Sequence, residues 1–124
     1  MAVQSYKDLF AWQKAMDLVV AVYRGTAGFP RDERFGLTNQ LRRASVSVPS
    51  NIAEGQGRGP TQDFVRFLSI ARGSLQEVDT QLILSTRLGF LAEDHYGQLS
   101  DLITETAKLL NGLIRSIPAS YEHR

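Results

Sequence analysis

A chain of 124 residues is long enough to bury one hydrophobic core and too short for two. Apolar residues at 43% and charged residues at 22% give the balance of a globular protein, setting aside disordered, collagen-like and membrane-spanning classes, and the absence of cysteine sets aside disulfide frameworks, thiolate metal sites and thiol nucleophiles. The net charge of +1 is milder than that of a typical nucleic-acid binder, yet eleven Arg against three Lys favour the residue that grips phosphate bidentately, unless the bias only reflects a GC-rich genome. The opening segment Met1–Asp8 has no basic stretch followed by an apolar one, and the longest aliphatic stretch, Leu18–Tyr23, is too short to span a bilayer, so a cytoplasmic protein without membrane contact is expected.

The first helix is expected over residues 8–27, with Asp8 as its cap. Leu9, Trp12, Met16, Val19 and Tyr23 form one apolar stripe, and Ala11, Ala15, Leu18 and Val22 form another beside it, a face wider than one bundle core requires. Gly28-Phe29-Pro30-Arg31-Asp32 then turns the chain. A second helix is expected over residues 33–55, with Leu37, Leu41, Ala44, Val48 and Ile52 at core spacing. Pro49 inside it predicts a kink near residues 45–49 rather than two helices. Gly55-Gln56-Gly57-Arg58-Gly59-Pro60 ends it. The third helix, over residues 61–88, is expected to be capped by the Thr61 hydroxyl, and Phe64, Leu68, Ala71, Leu75, Val78, Leu82 and Ser85 alternate by three and four like a bundle seam. The fourth, over residues 93–117, carries Leu99, Leu102, Ile103, Thr106, Leu109, Leu110, Leu113 and Ile117 before Pro118, and residues 119–124 read as a frayed tail. Short connections make neighbouring helices antiparallel, so the expectation is an all-α, antiparallel up-down-up-down four-helix bundle forming one domain over residues 1–124.

A catalytic or metal constellation is not readable. His95 and His123 lack ligand spacing, and the Glu-x-x-His motif of di-iron bundles is missing, since Gly57, Thr80, Tyr96 and Lys108 stand three residues after Glu54, Glu77, Glu93 and Glu105. There is no Gly-x-Ser-x-Gly elbow. The expectation is therefore a protein that is not an enzyme and uses no metal or cofactor. Gly55-x-Gly57-x-Gly59 follows a helix rather than a strand, so it reads as a helix stop; the alternative is an anion site formed with Arg58 at the start of the third helix.

On the second helix Gln40, Arg43, Ser47, Asn51 and Glu54 form a polar stripe beside the core stripe. It is either solvated or faces symmetry mates or an acidic partner, and Glu77, one turn after Gly73, is placed to meet Arg43. Gly73 and Gly112 lie in helix interiors, where each costs about 1 kcal/mol, so close helix approach within the bundle or between subunits is expected there. With Phe10, Trp12 and Phe67 as exposed apolar candidates, the balance favours subunit contact. Arg31, Arg34, Arg42, Arg43, Arg58, Arg66 and Arg72 give residues 31–72 an excess of three positive charges. The first six are candidates for binding phosphates of RNA or DNA, a surface that an oligomer would repeat around an axis. The alternative is solvated arginines with intrahelical partners.

The stretch from Phe35 to Gly55, FGLTNQLRRASVSVPSNIAEG, resembles the signature of the bacterial four-helix bundle proteins encoded in intervening sequences of 23S ribosomal RNA genes. Residues 64–77, FVRFLSIARGSLQE, match that family's second block, and Tyr6-Lys7-Asp8-Leu9 with Trp12-Gln13-Lys14-Ala15 match its opening. The resemblance covers nearly the whole chain. It implies a homopentamer with a central channel, and a relationship to the accessory variability protein of diversity-generating retroelements, which connects the family to nucleic acid and to a reverse transcriptase as a partner. The expected function is a non-enzymatic, homo-oligomeric, pentameric module of undetermined cellular role that binds RNA or DNA phosphates through an Arg-rich surface. The alternative is a protein–protein interaction scaffold without nucleic-acid binding.

Overall fold

The computed structural model describes residues 5–118 and contains four long helices, α1 (Phe10–Thr26), α2 (Leu37–Gln56), α3 (Gln62–Arg87) and α4 (Glu93–Ser116). Short 3-10 turns at Tyr6–Asp8 and Arg31–Glu33 precede α1 and α2. Around the bundle α1 packs on α2 and α4, and α3 packs on the same two helices, as the up-down-up-down order requires. Among the described residues there is no strand, and no helix is long and apolar enough to cross a membrane. Residues 119–124, including His123 and the predicted tail, lie outside the described residues.

The core is built from the expected spacings. Leu41, Val48 and Ile52 of α2 meet Leu68, Leu75, Val78 and Leu82 of α3, all nearly or fully inaccessible. Each such side chain contributes about 1.5–3 kcal/mol through burial. On α1 the inward stripe is Ala11, Ala15, Leu18 and Val22, continued by Thr26. The stripe beside it turns outward: Met16 and Tyr23 are exposed and Trp12 and Val19 half-buried, with Leu9 alone fully inside. The alanines let α1 approach its neighbours closely, and larger side chains at those positions would hold it off. Helix α4 is the most peripheral, burying only Leu99, Thr106 and Leu110.

Three helix starts depart from the expectation. Asp8 does not cap α1; its carboxylate accepts the Ser5 N–H at 3.2 Å while the Ser5 hydroxyl accepts the Lys7 N–H at 3.1 Å, which caps the 3-10 turn. The extended, buried Leu9 separates that turn from α1. Helix α2 begins at Leu37 rather than at residue 33, because the Glu33 carboxylate turns back and accepts the Leu37 N–H at 3.1 Å. Gly36 has no side chain, and a Cβ there would lie 2.7 Å from that carboxylate oxygen. Thr61 precedes α3 in extended backbone, but its hydroxyl makes no capping bond and is buried without a partner among the described residues. Helix α2 runs unbroken through the buried Pro49.

The close approach of α2 and α3 occurs at Gly55, where an added Cβ would stand 2.7 Å from Phe67 Cβ and 2.9 Å from Phe64 Cδ1. At Gly73 and Gly112, where close approach within the bundle or between subunits was expected, there is none within the subunit. A Cβ on Gly73 would meet nothing within 4 Å, and one on Gly112 would meet only the tip of Arg115 at 3.9 Å. Phe67, expected on the surface, is 9% exposed, whereas Phe10 is 72% exposed and Trp12 half-buried with its ring edge against Tyr6.

Candidate nucleic-acid interface

The six candidate arginines fall into two groups at opposite ends of α2, whose 20 residues span about 30 Å. At the far end Arg58 lies 3.3 Å from Glu54 and 3.8 Å from Asp63, while Arg66 lies 3.3 Å from the same aspartate. Both guanidiniums sit over the Phe67 ring, at 5.0 and 4.8 Å from its centroid. Two arginines, two carboxylates and one ring therefore close the corner between α2 and α3, and the local charge cancels. Gly59, at φ +78°, takes the left-handed backbone of the intervening turn. The glycines thus serve as the helix stop and turn, with Gly55 adding the close crossing.

The near end is different. Over residues 24–43 five arginines, Arg24, Arg31, Arg34, Arg42 and Arg43, face two acidic residues, Asp32 and Glu33, and Glu33 is committed to the α2 N-terminus. Arg42 is held in place: its guanidinium stacks on Tyr23 at 4.6 Å, its Nε donates to the Thr26 hydroxyl at 3.0 Å, and Nη2 reaches the Tyr23 carbonyl at 3.4 Å. It docks α2 onto the last turn of α1, where a cation is favoured by the exposed carbonyls. Arg34 lies over the Phe35 ring at 4.8 Å from its centroid. Arg24, Arg31, Arg34 and Arg43 make no ion pair among the described residues, and all four are exposed. Arg24 completes this set; it was missed in the sequence because it falls on the first helix, outside the cluster that begins at residue 31.

Arg43 stands on the ridge between two shallow clefts. One, of about 530 Å³, is lined by Tyr23, Asn39, Arg42, Arg43, Val46 and Ser47. The other, of about 320 Å³, is lined by Gln40, Ala44, Ser74 and Glu77 together with Asn39, Arg43 and Ser47. The expected Arg43–Glu77 contact is absent among the described residues; the Glu77 carboxylate instead accepts from Gln81, one turn further along α3, at 3.4 Å.

Most of the polar stripe is engaged within the subunit. Gln40 accepts from Gln81 at 3.3 Å, Ser47 and Ser74 share a hydrogen bond of 2.9 Å, and Asn51 donates back to Ser47 at 2.8 Å (carbonyl) and 2.9 Å (hydroxyl). Glu54 is taken by Arg58. The stripe is a polar seam along the edge where α2 meets α3. Its key residue on α3, the buried Gln81, was not singled out in the sequence, although it falls three residues after Val78 and beside Leu82 on the inward face. Arg72 ties α3 to α4 through Asn111 at 3.0 Å. His95 lines a cleft between α1 and α4 with Asp17 and Arg24. No group of three His, Asp or Glu side chains among the described residues is gathered to hold a metal ion.

The chain is similar to a protein of unknown function from the S23 ribosomal protein family of Bacteroides thetaiotaomicron, known from its crystal structure. The two are 24% identical and superpose with a TM-score of 0.75 over 86% of this chain and 99% of that one, which shows a shared fold. No functionally curated protein matches the sequence. The model of the 23S rRNA-intervening sequence protein family matches residues 7–112, which include all of α1, α2 and α3 and most of α4. The chain belongs to the 23S rRNA-intervening sequence protein family.

Proposed function

We propose that this protein is a non-enzymatic cytoplasmic homo-oligomer, a pentamer on the family resemblance, that holds RNA or DNA by its phosphates. The observation that carries the reading is the separation of charge along α2. Arg58 and Arg66 are neutralised at one end by Glu54 and Asp63, while Arg24, Arg31, Arg34 and Arg43 stand exposed without ion pairs among the described residues at the other. One subunit offers few phosphate contacts, and a ring of copies multiplies them. The support for self-association is an outward face of α3 that the subunit leaves uncovered. Ile70, Gly73, Glu77, Thr80 and Leu84 are all exposed there at three-four spacing, an outer seam with apolar Ile70 and Leu84 at its ends and small or polar residues between them.

The test is binding of labelled RNA and duplex DNA across a salt series. Affinity for the duplex is expected to fall with a log–log slope of about −0.9 per phosphate neutralised. Arg31→Ala/Arg34→Ala/Arg43→Ala should weaken binding to every sequence and flatten the slope, while Arg58→Ala should leave the slope unchanged. Binding that ignores salt, or that survives the triple substitution, contradicts the reading. A second reading, a scaffold for another polypeptide such as a reverse transcriptase, is favoured by Phe10, exposed beside a shallow apolar cleft lined by Leu109 and Leu113. It predicts a protein partner retained after nuclease treatment and lost with Phe10→Asp.

A further inference from the structure

Phe35 is the most exposed large apolar side chain among the described residues, at 80% exposure, and it stands in the middle of the positive end of the molecule. Its position is fixed on both sides. The 3-10 turn Arg31–Glu33 leads into it, with the Glu33 and Arg34 N–H groups bonded to the carbonyls of Pro30 and Arg31 at 2.9 and 3.1 Å. Behind it the Gly36 N–H donates to the Glu33 carbonyl at 2.9 Å, and the Glu33 carboxylate accepts the Leu37 N–H. Bonds before and after the residue order the backbone that carries the ring, so the exposure does not come from a loose loop. A single exposed phenylalanine is ordinary on a protein surface; what sets Phe35 apart is its place among the unpaired arginines.

The surroundings show what fits. The Arg34 guanidinium lies over the Phe35 ring, and on the neighbouring α2 turns the cleft lined by Tyr23, Arg42 and Arg43 repeats the combination, with Arg42 stacked on the half-exposed Tyr23 and Arg43 unpaired. A flat ring, a guanidinium plane and a free positive charge together match a nucleobase and its phosphate. In a duplex the base faces are already stacked on one another, so only unpaired nucleotides can use such a platform.

We propose that the Phe35 ring is a stacking platform for unpaired nucleobases, so that the arginine end selects single-stranded nucleic acid over duplex, with the Tyr23–Arg42 pair carrying a second base. This rests on the phosphate-binding reading above and adds the strandedness of the ligand. The experiment compares end-labelled oligothymidylate with a duplex of equal length, at matched salt, for the full chain and for Phe35→Ala and Phe35→Trp. The expected result is tighter binding of the single strand, a loss of about tenfold or more for oligothymidylate in Phe35→Ala with duplex affinity within twofold of the parent, and recovery in Phe35→Trp. Equal affinity for both strands, or equal weakening of both in Phe35→Ala, overturns the platform and leaves the phosphate reading standing. If the parent binds neither, both readings fall. A lower particle mass of Phe35→Ala by light scattering overturns the platform in another way, by assigning the ring to a second copy of the chain. The side chain is exposed, so an unchanged helical circular dichroism spectrum is expected for each variant.

Discussion

At position 55 a hydrogen in place of a methyl group sets how closely α2 and α3 cross. A Cβ there would press on Phe67 Cβ and Phe64 Cδ1, and because one neighbour is a ring and the other a carbon next to backbone, neither yields easily. Gly55→Ala is expected to lower stability by about 1–3 kcal/mol despite the better helix propensity of alanine, read as a fall in the urea midpoint with unchanged slope. This role was hidden in the sequence, where the three glycines at 55, 57 and 59 read together as a turn, because spacing marks a backbone break and does not show what stands opposite it. Phe67 was misplaced for a related reason: it lies one residue from the Leu68 seam, on the flank that meets the end of α2. The arginines were legible as a group. Their split into a paired and an unpaired half was not, since whether a guanidinium finds a carboxylate depends on which corner its helix turns, as Arg58 and Asp63 show across the loop.

Between elements, the link from α3 to α4 includes a bond whose strength depends on pH. The Tyr96 hydroxyl donates to Asp79 at 2.9 Å, and burial together with that bond raises the phenol above its ordinary value of 10.0. The folded state therefore holds the proton more tightly than the unfolded chain does. The stabilisation is complete below pH 10.0 and is lost as pH rises through the raised folded value. Tyr96→Phe should cost about 1 kcal/mol at neutral pH, and the gap between parent and variant should close in urea titrations at increasing alkaline pH. The helices themselves were largely legible. All seven predicted seam residues of α3 are buried, because a strict three-four alternation leaves only one inward face. Helix α1 carries two adjacent apolar stripes, and the choice between them depends on the size of what the neighbours present, which periodicity along one helix does not encode. The caps at Asp8 and Thr61 were misjudged because a capping residue type does not by itself fix where the helix begins. The end of α3 follows the local rule closely, with Gly89 at φ +81° and the Phe90 N–H bonded to the Ser85 carbonyl at 2.9 Å.

For the molecule as a whole, Gly73 bears on assembly. It stands exposed in the middle of α3, where alanine would be favoured by about 1 kcal/mol and nothing within the subunit opposes it. In the proposed oligomer the missing methyl lets a second copy approach the outer seam. Gly73→Ala is expected to raise the stability of the isolated subunit while shifting dissociation to higher protein concentration, which light scattering along a dilution series measures. The bundle order was legible from four periodic segments and short connections. The outer seam was not singled out, because Ile70 and Leu84 are too few to stand out before the inner seam is assigned.

The peripheral setting of α4 has a practical use. Asp101, Thr104 and Lys108 face solvent on a helix that packs against α1 and α3, the two helices flanking α2. Because the chain has no cysteine of its own, one thiol introduced at Thr104 would be unique. A fluorophore or a surface tether attached there would report from the helix that lies across the bundle from α2, without occupying the α2 surface around Arg43 that it is meant to observe.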